Sequence, residues 1–78
     1  MTKESKQKGR ALRSYRKKRG VNQKQLADAA GFAHKSAISR RERGEIEMSD
    51  KKFLELCTVI ECIVEEREYD VDVIDLVL

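Results

Sequence analysis

Two glycines, Gly31 and Gly44, divide the stretch Asn22–Gly44 (NQKQLADAAGFAHKSAISRRERG) into two short segments of helical periodicity, and nothing else in the chain constrains the fold as much. Asn22 is a good N-cap, and Gln25 three residues later completes a capping box, so a helix is predicted to start there. Leu26, Ala27 and Ala30 give this helix an inner face whose small residues admit a close neighbour. Gly31 ends it at a position suited to positive φ. A second helix is predicted from about Lys35 to Arg43. Ala37, Ile38 and Arg41 lie on its inner side, Lys35, Ser36, Arg40 and Arg43 face outward, and Gly44 closes it. Its start has no strong cap, because Phe32, Ala33 and His34 precede it.

The flanking sequence predicts further helices. Residues 1–8 (MTKESKQK) are polar with no periodic apolar signal and read as a flexible basic arm. A helix is expected over 9–19, with Ala11, Leu12, Tyr15 and the stem of Arg16 on one face and Gly20 as its stop. At least one apolar residue of the loop 45–48 (EIEM) should tuck under the core. Ser49 caps a later helix, Asp50 suits its first turn, and Phe53, Leu56, Cys57, Ile60 and Ile63 or Val64 keep a helical repeat. The final ten residues (YDVDVIDLVL) support two readings. Alternating Tyr69, Val71 and Val73 suggest a strand, which would need a partner across a dimer; Asp70 could instead cap a short last helix.

Seventy-eight residues without proline and rich in Leu, Ala, Glu, Lys and Arg point to one small all-α domain. No apolar run approaches the roughly 18 residues of a membrane span, and the polar start carries no signal-peptide core, so a soluble intracellular protein is expected. Cys57 and Cys62 diverge on a helix and the single His34 is far from both, which favours packing thiols over a metal site. The net charge of +3 conceals a strong asymmetry. Residues 1–52 carry 16 Lys/Arg against 6 Asp/Glu, a net of +10, whereas residues 53–78 carry one against 8, a net of −7. A basic front half fits a polyanion-binding face, and two solvated surfaces of opposite sign are the alternative. Two helices across a glycine turn form the unit that lays one helix in the major groove of DNA.

Together, Leu12, Arg16, Gly20, Gln23, Leu26, Ala27, Gly31, Ile38, Ser39, Glu42 and Gly44 resemble the XRE/Cro-repressor family of helix-turn-helix domains. The similarity continues through Ser49, Phe53, Leu56 and Ile60, covering roughly 10–62. The resemblance implies a compact, lambda-repressor-like domain of about five helices spanning 9–62, whose third helix enters the major groove. Residues 63–78 would then be an acidic dimerisation or partner segment. It implies that Arg16 and Glu42 bridge the first and third helices, and that Gln23 contacts the phosphate backbone or a flanking base. It places Lys35, Ser36 and Arg40 at base edges, where lysine and arginine donate to guanine O6 and N7. Ser39 joins the DNA-binding set, while Arg43, Lys51 and Lys52 fall where phosphate contacts add affinity without sequence information. Two departures stand out. The segment Gly31–Ile38 is one residue longer than the usual family spacing, and Arg41 occupies a place usually held by a buried aliphatic or aromatic side chain.

These features lead to a homodimeric, sequence-specific transcriptional regulator, of the phage, plasmid or restriction-modification repressor type, on a palindromic operator of double-stranded DNA. Such a protein would be cytoplasmic, bacterial or phage-encoded and nucleoid-associated, with no membrane partner and no cofactor. The alternative is an antitoxin-type DNA-binding protein whose acidic 63–78 segment neutralises a protein partner. With no Ser/His/Asp set, no paired cysteine and histidine and no phosphate-cradling glycine loop, an enzyme is not expected.

Overall fold

The computed structural model describes residues 3–77, with side-chain surroundings for residues 3–67. Four helices follow in order: α1 (Lys3–Lys18), α2 (Gln23–Ala30), α3 (Ser36–Glu42) and α4 (Asp50–Val77). There is no strand among the described residues. The helices close a ring in which α1 packs on α3 and α4, and α2 packs on the same two. Leu12, Leu26, Ile38, Leu56 and Ile60 meet at its centre, each at most 1% exposed. Burying a side chain of this size contributes about 1.5–3 kcal/mol. Val21, Ala27, Met48 and Val64 complete the core, with Tyr15, Phe32 and Phe53 packed around it. Met48 is the residue of the 45–48 loop that tucks under.

The local signals around α2 act as the sequence implies. The Asn22 side chain accepts from the Gln25 N–H at 2.7 Å, and the Asn22 N–H donates to Gln25 Oε1 at 3.0 Å. At the other end Gly31 has φ 84°, and the Phe32 N–H returns to the Ala27 carbonyl at 2.9 Å. The Ser49 hydroxyl accepts from the Lys52 N–H at 3.1 Å and caps α4.

Two expectations are corrected. The first helix begins at Lys3 rather than near residue 9, so residues 3–8 are helix and not a flexible arm. Its buried face is Ser5, Gly9, Leu12 and Arg16, while Ala11, expected to face inward, is exposed. The reason is close backbone approach. A Cβ at Gly9 would lie 2.5 Å from the carbonyl oxygens of both Arg41 and Glu42, so only glycine lets α1 seat on the end of α3. At the C-terminus, α4 runs unbroken from Asp50 to Val77, giving neither a strand nor a separate capped fifth helix in residues 69–77. No glycine or proline interrupts that stretch to stop it. Its side chains from residue 68 onward, and with them the partner contacts expected of 63–78, lie largely outside the described residues.

Candidate nucleic-acid interface

Helix α3 is short, and its placement rests on a buried ion pair. Arg16 Nε donates to Glu42 Oε2 at 2.6 Å and Arg16 Nη2 to Glu42 Oε1 at 3.0 Å; the two side chains are 8% and 2% exposed. Arg16 Nη1 donates to the Val21 carbonyl at 2.9 Å, and Gln23 Nε2 to Glu42 Oε1 at 3.1 Å. Each nitrogen of the guanidinium and each oxygen of the carboxylate is thereby used, the condition under which a buried pair is tolerated. The expected bridge between the first and third helices is present, and it also recruits the linker and the first turn of α2. Arg16 and Glu42 are thus structural, holding α3 with Ile38 against the core.

The opposite side of α3 faces water. Lys35, Ser36, Arg40 and Arg43 are exposed, and Ser39 is half-buried among them. Gln23 stands between two shallow grooves flanking this face. One is lined by Arg16, Asn22, Gln23, Lys24 and Lys35. The other is lined by Arg13, Arg16, Lys17, Gln23, Ser39, Glu42 and Arg43. Ser39 and Arg43 therefore share one groove and Lys35 lines the other, with Gln23 lining both and Ser36 and Arg40 exposed on the same helix. Lys51 and Lys52 lie on the first turn of α4 and line neither groove. Two of the candidate cations have partners, Arg43 pairing with Glu45 at 2.6 Å and Lys52 with Glu55 at 3.1 Å. These carboxylates are solvent-accessible and such pairs exchange at little cost.

The two departures from the family pattern meet in space. Within the longer segment Gly31–Ile38, residues 31–35 form the turn ahead of α3, and Lys35 stands at the helix start in αR conformation with no side-chain cap. The turn places Phe32 beside α3, and the Arg41 guanidinium lies 4.6 Å from the centre of the Phe32 ring. Arg41 Nη1 also donates to the Ala37 carbonyl at 2.9 Å, although its Nε is buried without a hydrogen-bond partner among the described residues. A cation over an aromatic face takes the place of an aliphatic contact.

On the far side, α1 is tied to α4. Arg19 donates from Nε and Nη2 to the two oxygens of Glu61 at 2.9 and 3.0 Å, and the Tyr15 hydroxyl donates to Glu61 Oε1. The Tyr15 hydrogen bond, with Arg19 behind it, holds the Glu61 carboxyl below its ordinary range. The same bond to Glu61 raises the Tyr15 phenol. Burial, then Glu61, pushes the Cys57 thiol up; Cys57 and Cys62 are both free.

Sequence reasoning left out Arg13 and Lys17, which line the groove beside Gln23 and Arg43. Their spacing of four within a basic helix puts them on one face and is the signal that locates them. Among the described residues no helix is long and apolar enough to cross a membrane. Neither the characterised proteins compared nor the solved structures compared give a match. The family model described as helix-turn-helix does match, over residues 12–62, which takes in α1 from Leu12, both helices of the motif and the first half of α4. By that match, with α3 seated on the Arg16–Glu42 pair, the chain belongs to the XRE/Cro-type helix-turn-helix family.

Proposed function

We propose that the protein is a sequence-specific DNA-binding transcriptional regulator, a repressor of phage, plasmid or restriction-modification type, that binds a near-palindromic operator as a homodimer. The observation that carries this reading is the two-sided character of α3. Its inner residue Glu42 is hydrogen-bonded to Arg16 of α1 and Ile38 is buried in the core, while Lys35, Ser36 and Arg40 are exposed on the other side. In the major groove, Lys35 and Arg40 would donate to guanine edges, and the Ser36 hydroxyl, able to donate or accept, would be permissive. Gln23, Ser39 and Arg43 line the flanking groove and would hold phosphates, with Lys51 and Lys52 adding backbone contacts at the start of α4. One such domain buries too little surface for selective binding, so two copies about one helical turn apart are required.

Selection of bound sequences from a random duplex pool at two salt concentrations tests the reading. The expected result is a single enriched motif with two inverted half-sites containing G·C pairs. Binding without any enriched motif would contradict it. The acidic stretch after Phe53 supports a second reading, an antitoxin-type protein whose segment 63–78 covers a basic partner. Retention of a basic protein by the full chain, lost when the carboxylates of 65–75 are neutralised, would favour that reading.

A further inference from the structure

The cations of α1, with Arg19 just after it, divide by what faces them. Arg16, Arg19 and Lys8 are matched by Glu42, Glu61 and Asp50, the last pair at 2.9 Å. Lys6, Arg10, Arg13 and Lys17 follow the spacing i, i+4, i+7, i+11, which is one stripe of a helix, and all four are exposed. None of these four is held in an ion pair among the described residues. The stripe borders the α3 surface at two points. Arg13 and Lys17 share a groove with Gln23, Ser39 and Arg43. Lys6 sits against the turn that ends α3, its Cα 3.0 Å from where a Cβ on Gly44 would lie.

We infer that this stripe is a second DNA-binding surface, which tracks the phosphodiester backbone beside the groove read by α3. The inference rests on the DNA-binding reading proposed above and adds a site to it. A row of four uncompensated cations along about 16 Å of helix has the length to face several successive phosphates on one strand, at 1.5 Å per residue. Flexible lysine and arginine side chains at this spacing recognise charge and not bases, so the site contributes affinity and orientation without sequence preference. It also gives the six N-terminal residues of α1 a purpose their polar composition does not reveal. By extending the helix past Gly9, they carry Lys6 to the far end of α3.

The test is the salt dependence of binding by Arg13→Gln/Lys17→Gln, with Lys18→Gln as a control, because Lys18 is exposed on another face of the same helix. Glutamine keeps the helix propensity, and circular dichroism checks the fold. On the duplex selected by the wild-type protein, the plot of log K against log salt should become shallower by about 1.8 for the double variant. Affinity near 0.1 M salt should fall by roughly 10- to 60-fold on that basis, with the ratio of selected to scrambled duplex unchanged. Lys18→Gln should leave the slope within experimental error. An unchanged slope in the double variant, an equal change in Lys18→Gln, or a lost preference for the selected sequence would each overturn the inference. Binding of the wild-type protein to anionic vesicles, with the DNA slope unmoved in the double variant, would also overturn it. Failure of the wild-type protein to select any sequence would strike instead at the DNA-binding reading itself.

Discussion

Two arginine–glutamate pairs, one on α1 and one just past its end, have nearly the same geometry and very different surroundings. Arg16 and Glu42 form a two-pronged pair buried between α1 and α3; Arg19, in the turn after α1, and Glu61 of α4 form one with side chains 37% and 39% exposed. Identical chemistry does different work in the two places. In water, the attraction is screened and its loss is readily replaced by hydration, so the outer pair trims the packing of α4. Under the core, removing one partner strands the other as a buried charge, so the inner pair decides whether α3 can sit where it does. Half of this asymmetry faces the proposed DNA surface, because Gln23 leans on Glu42 at 3.1 Å.

The largest effect is expected of Glu42→Ala. It should cost about 3–5 kcal/mol in denaturant unfolding, enough to unfold a domain of this size in large part. A double replacement, Arg16→Met with Glu42→Leu, should recover most of that loss, ending within about 2 kcal/mol of wild type, since no charge is then left buried. Recovery of stability would show that the penalty is desolvation. A double variant as unstable as Glu42→Ala would show that the hydrogen bonds to Val21 and Gln23 carry more than assigned here.

A third arginine lies between these extremes. Arg41 stacks on Phe32 but leaves Nε buried without a partner among the described residues. Arg41→Leu should therefore stabilise the fold by about 1 kcal/mol, the relief of an unsatisfied polar group outweighing the lost stacking. A decrease in thermal midpoint would mean that the contact over Phe32 dominates. Glu61→Gln comes last, with a small loss that shrinks further in high salt. Its clearest signature is in pH. The folded state holds the Glu61 carboxyl below its ordinary value of 4.5, so the unfolded chain binds that proton first as pH falls. The contribution is present above about pH 4.5 and is lost below it, and Glu61→Gln should flatten this part of the stability profile. The Tyr15 phenol is held above its ordinary value of 10.0, so stability should decline as pH rises past 10, and less so in Glu61→Gln.

What the amino-acid sequence made legible follows from how local each signal is. The Asn22–Gln25 box, Gly31 and Ser49 act within three or four residues, and all appear where the sequence puts them. The Arg16–Glu42 bridge spans 26 positions and was reached only through resemblance to the family. The start of α1 was missed because its inner face continues through Ser5 and Gly9 rather than through apolar residues. A search for hydrophobic periodicity passes over a face built from backbone proximity, although the spacing 5, 9, 12, 16 was there to be read. Val21 escaped for a related reason, since a single apolar residue in a linker has no period. The α4 continuation was obscured by β-branched residues whose local preference for strand does not by itself end a helix. On the candidate interface, exposure on one face of α3 was foreseeable from its spacing. The stacking of Arg41 on Phe32 was not, because two departures from the family pattern had to be brought together by the turn between them.

The role proposed for α3 is to read bases with its outer face while the Arg16–Glu42 pair holds it from within. It is tested most directly by titrating wild-type protein and Arg40→Ala against the selected duplex and its single-base variants. Wild type should discriminate at each half-site position by roughly 1–3 kcal/mol. Arg40→Ala should fold normally, bind more weakly, and lose discrimination at one G·C position while keeping it elsewhere. Retention of the full wild-type preference by Arg40→Ala, or an equal loss at every position, would contradict the assignment of α3 as the reading helix.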